Sequence, residues 1–250
     1  MIDSQVWLSR EFDKLLPAIY RKDGNRDFRD SVVPANIGRG DRVFDIGCGK
    51  QPCIDAGTKQ QLDLTVVGLD IDQDELDRAP DGIYDETICA DISTYVGDGR
   101  ADVVVCQALL EHVRDVEAAF AAIASCLRPG GRALLFVPSR NAVFARLNIV
   151  LPESLKRFLL HTIFPKTRRA QGFPSFYDRC TPRDFRRMAA ANALQIEEER
   201  FFYKSSYFSF FFPAYFVWRL WVVVFRATRK EHAAETFSMV LRSGSGGTCG

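Results

Sequence analysis

Between Arg42 and Pro138 the chain alternates short apolar runs with turn-like or helical segments, and this rhythm constrains the fold more than any other feature. Arg42–Ile46 runs into Gly47-Cys48-Gly49. Leu64–Leu69 ends in Asp70, and Glu86–Asp91 again ends in an acid. Ala101–Cys106 is strongly β-branched, and Arg132–Val137 is closed by Pro138. Between the last two runs, Val113–Leu127 reads as an alanine-rich helix stopped at Pro129-Gly130-Gly131. Strands separated by connections of this length cannot be joined by tight hairpins throughout. They predict an α/β protein: a doubly wound, mostly parallel sheet with helices on both faces and right-handed crossovers.

Composition agrees with a single such domain. The chain has 250 residues, 47% hydrophobic and 26% charged, which excludes collagen-like, disordered and coiled-coil classes. The Met-Ile-Asp start lacks a basic-then-apolar profile, so a cytoplasmic location is expected. Seven scattered cysteines form no paired CxxC ladder; they read as free thiols, and no metal site is expected. The net charge of +1 hides an asymmetry. Residues 1–125 carry 24 acids and 13 bases, a balance of −11, and residues 126–250 carry 8 acids and 20 bases, a balance of +12. Either the halves present different surfaces, or they interleave and neutralise one another.

The flanks differ from the core at 41–138. Residues 1–40 read as a peripheral helical cap, with Val6, Leu8, Phe12, Leu15, Leu16 and Ile19 at helical spacing. Residues 139–242 read as a basic and aromatic lid that also carries strands six and seven. Lys156, Arg157, Lys166, Arg168 and Arg169 are interleaved with Phe158, Phe164, Phe173 and Phe176. Thr181-Pro182 has the form of a helix start, Leu194–Tyr203 that of a strand, and Thr236–Leu241 that of a final strand. Residues 243–250 are a flexible tail by composition. Residues 207–225 are nineteen mainly apolar positions, long enough for a membrane span, yet interrupted by Pro213 and Arg219. A partly buried lid helix, possible attachment to an anionic membrane surface, and a true span are the three readings, in that order of preference.

The polar residues at the strand ends carry the chemistry. Asp45, Gly47 and Gly49 form a strand-to-turn segment in which glycine lets backbone approach a ligand. Asp70 ends the second strand, where a carboxylate can accept two ribose hydroxyls. Asp91 can accept from an exocyclic amine, and Ile92 offers an apolar wall to a purine. Gln107 ends the fourth strand, followed by Leu109-Leu110-Glu111-His112-Val113. The third glycine of a dinucleotide fingerprint is absent, because the chain continues Lys50-Gln51-Pro52.

With VFDIGCG, VVGLDID, CADIS, ADVVVCQALLEHV and LRPGGRALLFVPS in this order, the chain resembles the class I S-adenosylmethionine-dependent methyltransferases over residues 40–138. The resemblance implies a Rossmann-like seven-stranded sheet with an antiparallel last strand, and S-adenosyl-L-methionine as cofactor. It implies that Asp45, Gly47 and Gly49 line the methionine and sugar portion, that Asp70 holds the ribose, and that Ile71 packs on the adenine. Asp91 and Ile92 would flank the adenine, and Gln107 would sit by the sulfonium. His112 is the candidate base, since imidazole exchanges protons near neutrality; alternatively the Glu111-His112 pair caps the next helix. His161, Tyr177 and Tyr203 could face an acceptor, although packing roles suit them better. The expected reaction is methyl transfer to an oxygen of a small, glycan or lipid-linked acceptor. A catalytically silent binding protein and an RNA or protein methyltransferase are the alternatives. Nucleic acid is disfavoured, because no Asn/Asp-Pro-Pro-Tyr-like tetrapeptide stands near Gln107.

Overall fold

The structure, a computed structural model, describes residues 2–47, 49–151, 173–204 and 208–244. Cys48, His161, Tyr207, the basic residues between 156 and 169, and the end of the tail lie outside the described residues.

The sheet has seven strands in the order β3-β2-β1-β4-β5-β7-β6. They are β1 (Arg42–Ile46), β2 (Thr65–Asp70), β3 (Glu86–Cys89), β4 (Ala101–Gln107), β5 (Leu127–Pro138), β6 (Leu194–Phe202) and β7 (Thr236–Ser243). The first five pair in parallel, and β7 runs antiparallel between β5 and β6. The doubly wound, mostly parallel sheet with an antiparallel last strand is therefore present. Its central strands are continuous apolar runs because both faces are covered: Val43, Phe44, Ile46, Val66, Val67, Leu69 and Val103 to Val105 are all buried.

Among the described residues, the α-helices of five residues or more are, in chain order, α1 (Ile2–Leu15), α2 (Ala56–Leu62), α3 (Gln73–Asp77), α4 (Val116–Cys126), α5 (Val143–Val150), α6 (Pro182–Ala191) and α7 (Phe212–Arg229). Asp115 caps α4 by accepting from the Ala118 N–H at 3.1 Å. The helix then buries Val116, Ala119, Phe120 and Ile123 at helical spacing. Thr181 caps α6, with Pro182 in its first turn, as its sequence predicts.

Two expectations need correction. The N-terminal segment is not peripheral throughout. Helical turns over residues 24–36 insert Phe28, Val32 and Val33 into the core against Val43, Val66, Val103, Val105 and Phe136. The stretch supplies a layer over one sheet face, and a helix count based on α1 alone misses it. Second, Pro129-Gly130-Gly131 does not stop the helix. α4 ends at Cys126, and β5 already begins at Leu127. Ala101 pairs with Leu127 and Val103 with Arg132, so the four residues Arg128 to Gly131 bulge opposite Asp102 inside β5.

The apolar stretch after β6 folds as α7 and returns the chain to β7. Among the described residues, no helix is long and apolar enough to cross a membrane, so the span reading is excluded for α7. Arg219, which interrupts that run, is wholly buried. Its Nε donates to Asp13 Oδ1 at 3.0 Å, Nη1 to the Tyr203 carbonyl at 2.5 Å and Nη2 to the Tyr20 carbonyl at 2.6 Å. The guanidinium also stands over the rings of Tyr215 and Trp218. Tyr203 and Tyr177 are both buried. Ion pairs join the acidic and basic halves: Arg200 to Asp27 at 2.9 Å, Arg179 to Glu117 at 2.5 Å, and Arg128 to Asp102. The halves interleave, and the charge asymmetry is partly neutralised within the fold.

Candidate functional site

The strand order reverses direction between β1 and β4, because β2 and β3 lie to one side and β5 to the other. Crossover connections then leave the two carboxyl ends on opposite faces, and a crevice opens between them. A cavity of about 450 Å³ is lined by residues from the ends of β1, β2 and β3 and from the chain following β4. That volume lies in the range of small-molecule sites, roughly 300–1,000 Å³.

The tips of β1 to β3 supply Gly47, Asp70, Ile71, Asp91 and Ile92. Gly47 sits at φ +75°, and a Cβ there would lie 2.6 Å from the Leu109 side chain. Only glycine admits that turn and keeps the cavity floor open. Asp70 is nearly buried, and its Oδ1 accepts from the Asp72 N–H at 3.0 Å. Burial raises its pKa above the ordinary carboxylate value, while hydrogen bonds from the backbone of Asp72 and Ile71 pull the other way. Asp91 Oδ1 accepts from the Ser93 N–H at 2.8 Å and its hydroxyl at 2.7 Å, which fixes the carboxylate at the rim. Ile71 is an apolar side chain left 57% exposed on the cavity wall, an arrangement that suits a ligand face.

The other wall comes from the chain after β4 and from residues 173–176. His112, Val113, Arg114, Asp115, Phe173 and Phe176 line it. The turn Leu110–His112 ties these segments together, because the Glu111 carbonyl accepts from the N–H groups of Phe176 at 2.7 Å and Tyr177 at 3.0 Å. His112 Nδ1 lies 3.0 Å from the Pro174 carbonyl, which can only accept. The Ser175 hydroxyl lies 3.3 Å from the same nitrogen, and in the tautomer that donates Nδ1–H to Pro174, Nε2 is the acceptor. Arg114 lies over the Phe176 ring at 4.1 Å.

Among the described residues singled out from the sequence, Asp45, Gly49, Gln107, Tyr177 and Tyr203 are not on the cavity lining. Asp45 is buried, and its Oδ2 accepts from the Cys53 N–H at 2.7 Å, closing the loop after β1. Gly49 sits at φ +43°, where a Cβ would lie 2.8 Å from Glu75 Cβ and 3.2 Å from Asp70 Oδ2. Gln107 is held by the N-terminal segment: its Nε2 donates to Asn25, and its Oε1 accepts from Cys53 Sγ at 3.4 Å. Burial and neighbouring Asp45 push the Cys53 thiol up to about 12, so it is protonated and can donate. Sequence reasoning did not place Leu109, Arg114, Phe173 and Phe176 at the site. The first two follow directly on β4, at the switch point, and could have been found there. Phe173 and Phe176 arrive from a distant segment; their aromatic and basic surroundings marked them as lid residues, but nothing local placed them against His112.

Two buried carboxyls near this end of the sheet set a pH dependence. Burial pushes Glu111 and Glu235 each up to about 8, from 4.5. Glu111 Oε1 is 3.8 Å from His112 Nε2; with its proton in place at neutrality, Glu111 forms no ion pair there. The folded state holds protons that the unfolded chain gives up near pH 4.5. Their contribution to stability is thus complete below that pH and is lost as pH rises through about 8. The melting temperature is expected to fall between pH 6 and 9, a window in which ordinary carboxylates are already ionised in both states. Glu111→Gln or Glu235→Gln should each flatten the decline, by roughly 2–3 kcal/mol per site across that window. Melting curves across that range check the slope; parallel curves for parent and variants would contradict it.

Residues 18–199 match a family model described as a methyltransferase domain. The ubiquinone biosynthesis O-methyltransferase of Thiobacillus denitrificans is 30% identical over 166 residues, covering 64% of this chain and 66% of that protein. The enzyme of the same name from Cupriavidus pinatubonensis is 29% identical over 169 residues, covering 64% of this chain and 63% of that protein. The chain thus spans just under two thirds of the length of these relatives. Among solved structures, an S-adenosylmethionine-dependent methyltransferase from Mesorhizobium loti superposes with a TM-score of 0.55 at 17% identity, covering 89% of this chain and 99% of that one. Phosphoethanolamine N-methyltransferase 2 of Haemonchus contortus, in complex with S-adenosyl-L-methionine, gives 0.54 at 14% identity, covering 86% and 52%. The (4+2)-cyclase SpnF gives 0.56 at 15% identity, covering 91% and 86%. Identities this low establish the fold, and the cyclase shows that this fold also serves other chemistry. The family match spans most of the chain, on a sheet with this strand order and an open crevice at its switch point, and the chain belongs to the class I S-adenosylmethionine-dependent methyltransferases.

Proposed function

We propose that the chain binds S-adenosylmethionine in the cavity at the β1–β4 switch point and passes the methyl group to an oxygen of a small, apolar acceptor, free or lipid-linked. The observation that carries this reading is the joining of two walls in one cavity: acids and isoleucines from the strand tips, and His112 with aromatic residues opposite. The site fits the cofactor, since Gly47 lets its backbone and the Leu109 side chain meet on the cavity wall without a Cβ between them, and Asp70 stands nearly buried with a raised pKa and capacity to accept further hydrogen bonds.

Asp70 would take the ribose hydroxyls and Asp91 the exocyclic amine, with Ile71 and Ile92 against the base. Asp45, Gly49 and Gln107 would hold the loop and strand end around the methionine portion. When bound, the cofactor supplies a methyl group already activated on a sulfonium. The protein's part is then to align the acceptor and keep water out. Phe173, Phe176 and Val113 present apolar surface for that. His112 would accept the acceptor's hydroxyl proton on Nε2, the nitrogen left unprotonated in the tautomer that donates to Pro174. The two relatives named for O-methylation support oxygen as the target atom.

The test is incubation with methyl-labelled cofactor and fractionated cell extract, followed by mass spectrometry of the products. Labelled product together with S-adenosylhomocysteine is expected; no binding heat with the cofactor would sink the reading. His112→Gln should lower kcat by about a hundredfold or more while cofactor Kd is unchanged. An unchanged kcat would assign His112 to holding the 173–176 segment alone.

A further inference from the structure

Helix α7 is apolar on two opposite faces, and only one of them is covered. The inner face carries Tyr215, Trp218, Arg219 and Val222, all buried against α1 and the chain around Tyr20 and Tyr203. Phe212 and Phe216 reach α1 through edge contacts with Phe12 at 6.1 and 4.9 Å. The outer face carries Val217, Leu220, Trp221 and Val224, again at helical spacing, and these four are 44–66% exposed. Helices hydrophobic all round belong in a core, so an outer face of this kind requires a partner. The neighbouring α1 leaves Trp7 and Leu15 exposed as well.

The charge around this face selects the partner. Of the bases in residues 204–230, Arg219 is buried, Lys204 pairs with Asp23 and Arg226 stands over Tyr20 and Tyr203, which leaves Arg229 and Lys230; the acid that follows, Glu231, is taken by Arg186. Arg10 on α1 and Arg229 and Lys230 at the end of α7 are exposed. They make no ion pair among the described residues. Of the acids on α1, Asp13 is committed to Arg219 and Glu11 to Lys14, leaving Asp3 in the first turn. Two copies of a basic-rimmed face repel each other, whereas anionic headgroups complement it. Tryptophan suits the boundary between headgroups and acyl chains, and α7 packs along α1 on its inner face, which leaves the outer face to lie against a surface as an interfacial helix does.

We infer that the outer face of α7 is a docking surface for an anionic lipid bilayer, with Val217, Leu220, Trp221 and Val224 entering the interface and Arg229 and Lys230 at the headgroups. The inference is independent of which acceptor is methylated. It is tested by flotation of the whole protein with phosphatidylglycerol–phosphatidylcholine vesicles and with pure phosphatidylcholine vesicles. Co-flotation with the anionic vesicles, weakened by salt, is expected. Val217→Glu with Trp221→Glu should cut the bound fraction about tenfold or more, with cofactor binding heat and the circular dichroism spectrum unchanged. The milder pair Val217→Ser with Leu220→Ser substitutes if the charged pair does not fold. Absence of flotation at low salt, or flotation that neither pair reduces, overturns the inference. So does a concentration-dependent dimer, seen without vesicles and lost in the same variants, which would make a second copy the occupant.

Discussion

Asp70→Ala is expected to weaken S-adenosylmethionine binding by about 10²- to 10⁴-fold in a calorimetric titration, the loss of two charge-assisted hydrogen bonds at roughly 1.5–3 kcal/mol each. The variant is informative because stability and binding should move in opposite directions. Burial raises the pKa of this carboxyl in the folded protein, so ionising it at neutral pH costs stability. That contribution is complete below the unfolded pKa and is lost as pH rises through the folded one. Removing the charge with Asp70→Asn should therefore leave the melting temperature at neutral pH unchanged or slightly raised while binding weakens. Cofactor affinity of the parent should also decline on acidification, beginning above the usual carboxylate range, because a protonated Asp70 loses one acceptor. If Asp70→Ala bound the cofactor as the parent does, the ribose role would be wrong even on this fold. If both variants unfolded, Asp70 would be a structural residue whose loss the sheet cannot absorb.

What the sequence made legible follows from how local each signal is. The ends of β1 to β3 were readable because strand, turn and acid occupy consecutive positions: Gly47, Asp70, Ile71, Asp91 and Ile92 all reach one cavity. The antiparallel β7 was expected through resemblance and lies between β5 and β6. The opposite wall was legible only in part: His112 stood out beside β4, while Phe173 and Phe176 read as lid aromatics with no place in the site. Phe173 and Phe176 meet His112 only because their segment is held at the Glu111 carbonyl, a backbone hydrogen bond that side-chain patterns do not report. The burial of Phe28, Val32 and Val33 was missed because three short helical turns, one of them a π-helix, carry too few residues to show a period. Gln107 illustrates the limit of carrying roles along a motif. It ends β4 as expected, yet its amide hydrogen-bonds Asn25 and Cys53, neither of which a β4 motif contains.

Arg219→Leu should destabilise the protein by about 3–5 kcal/mol, because the substitution removes one partner of a buried network and leaves the others without it. The Tyr203 and Tyr20 carbonyls and the Asp13 carboxylate all face this guanidinium. Asp13 would keep only the Tyr215 hydroxyl, at 2.6 Å. For a chain of this size the melting temperature should drop by roughly 6–20 °C. The double variant Arg219→Leu with Asp13→Leu should recover a substantial part of the loss, since the uncompensated carboxylate is then gone and leucine fills apolar surroundings. A single variant as stable as the parent would mean that α7 is held by its aromatic contacts alone. The arginine also shows why composition could not choose between a lid and a span: an apolar run with one central charge satisfies both descriptions. The choice lies with Asp13, more than two hundred positions away in the chain, whose carboxylate and two nearby carbonyls give that charge a place inside the fold. A membrane interior would have offered it none of the three.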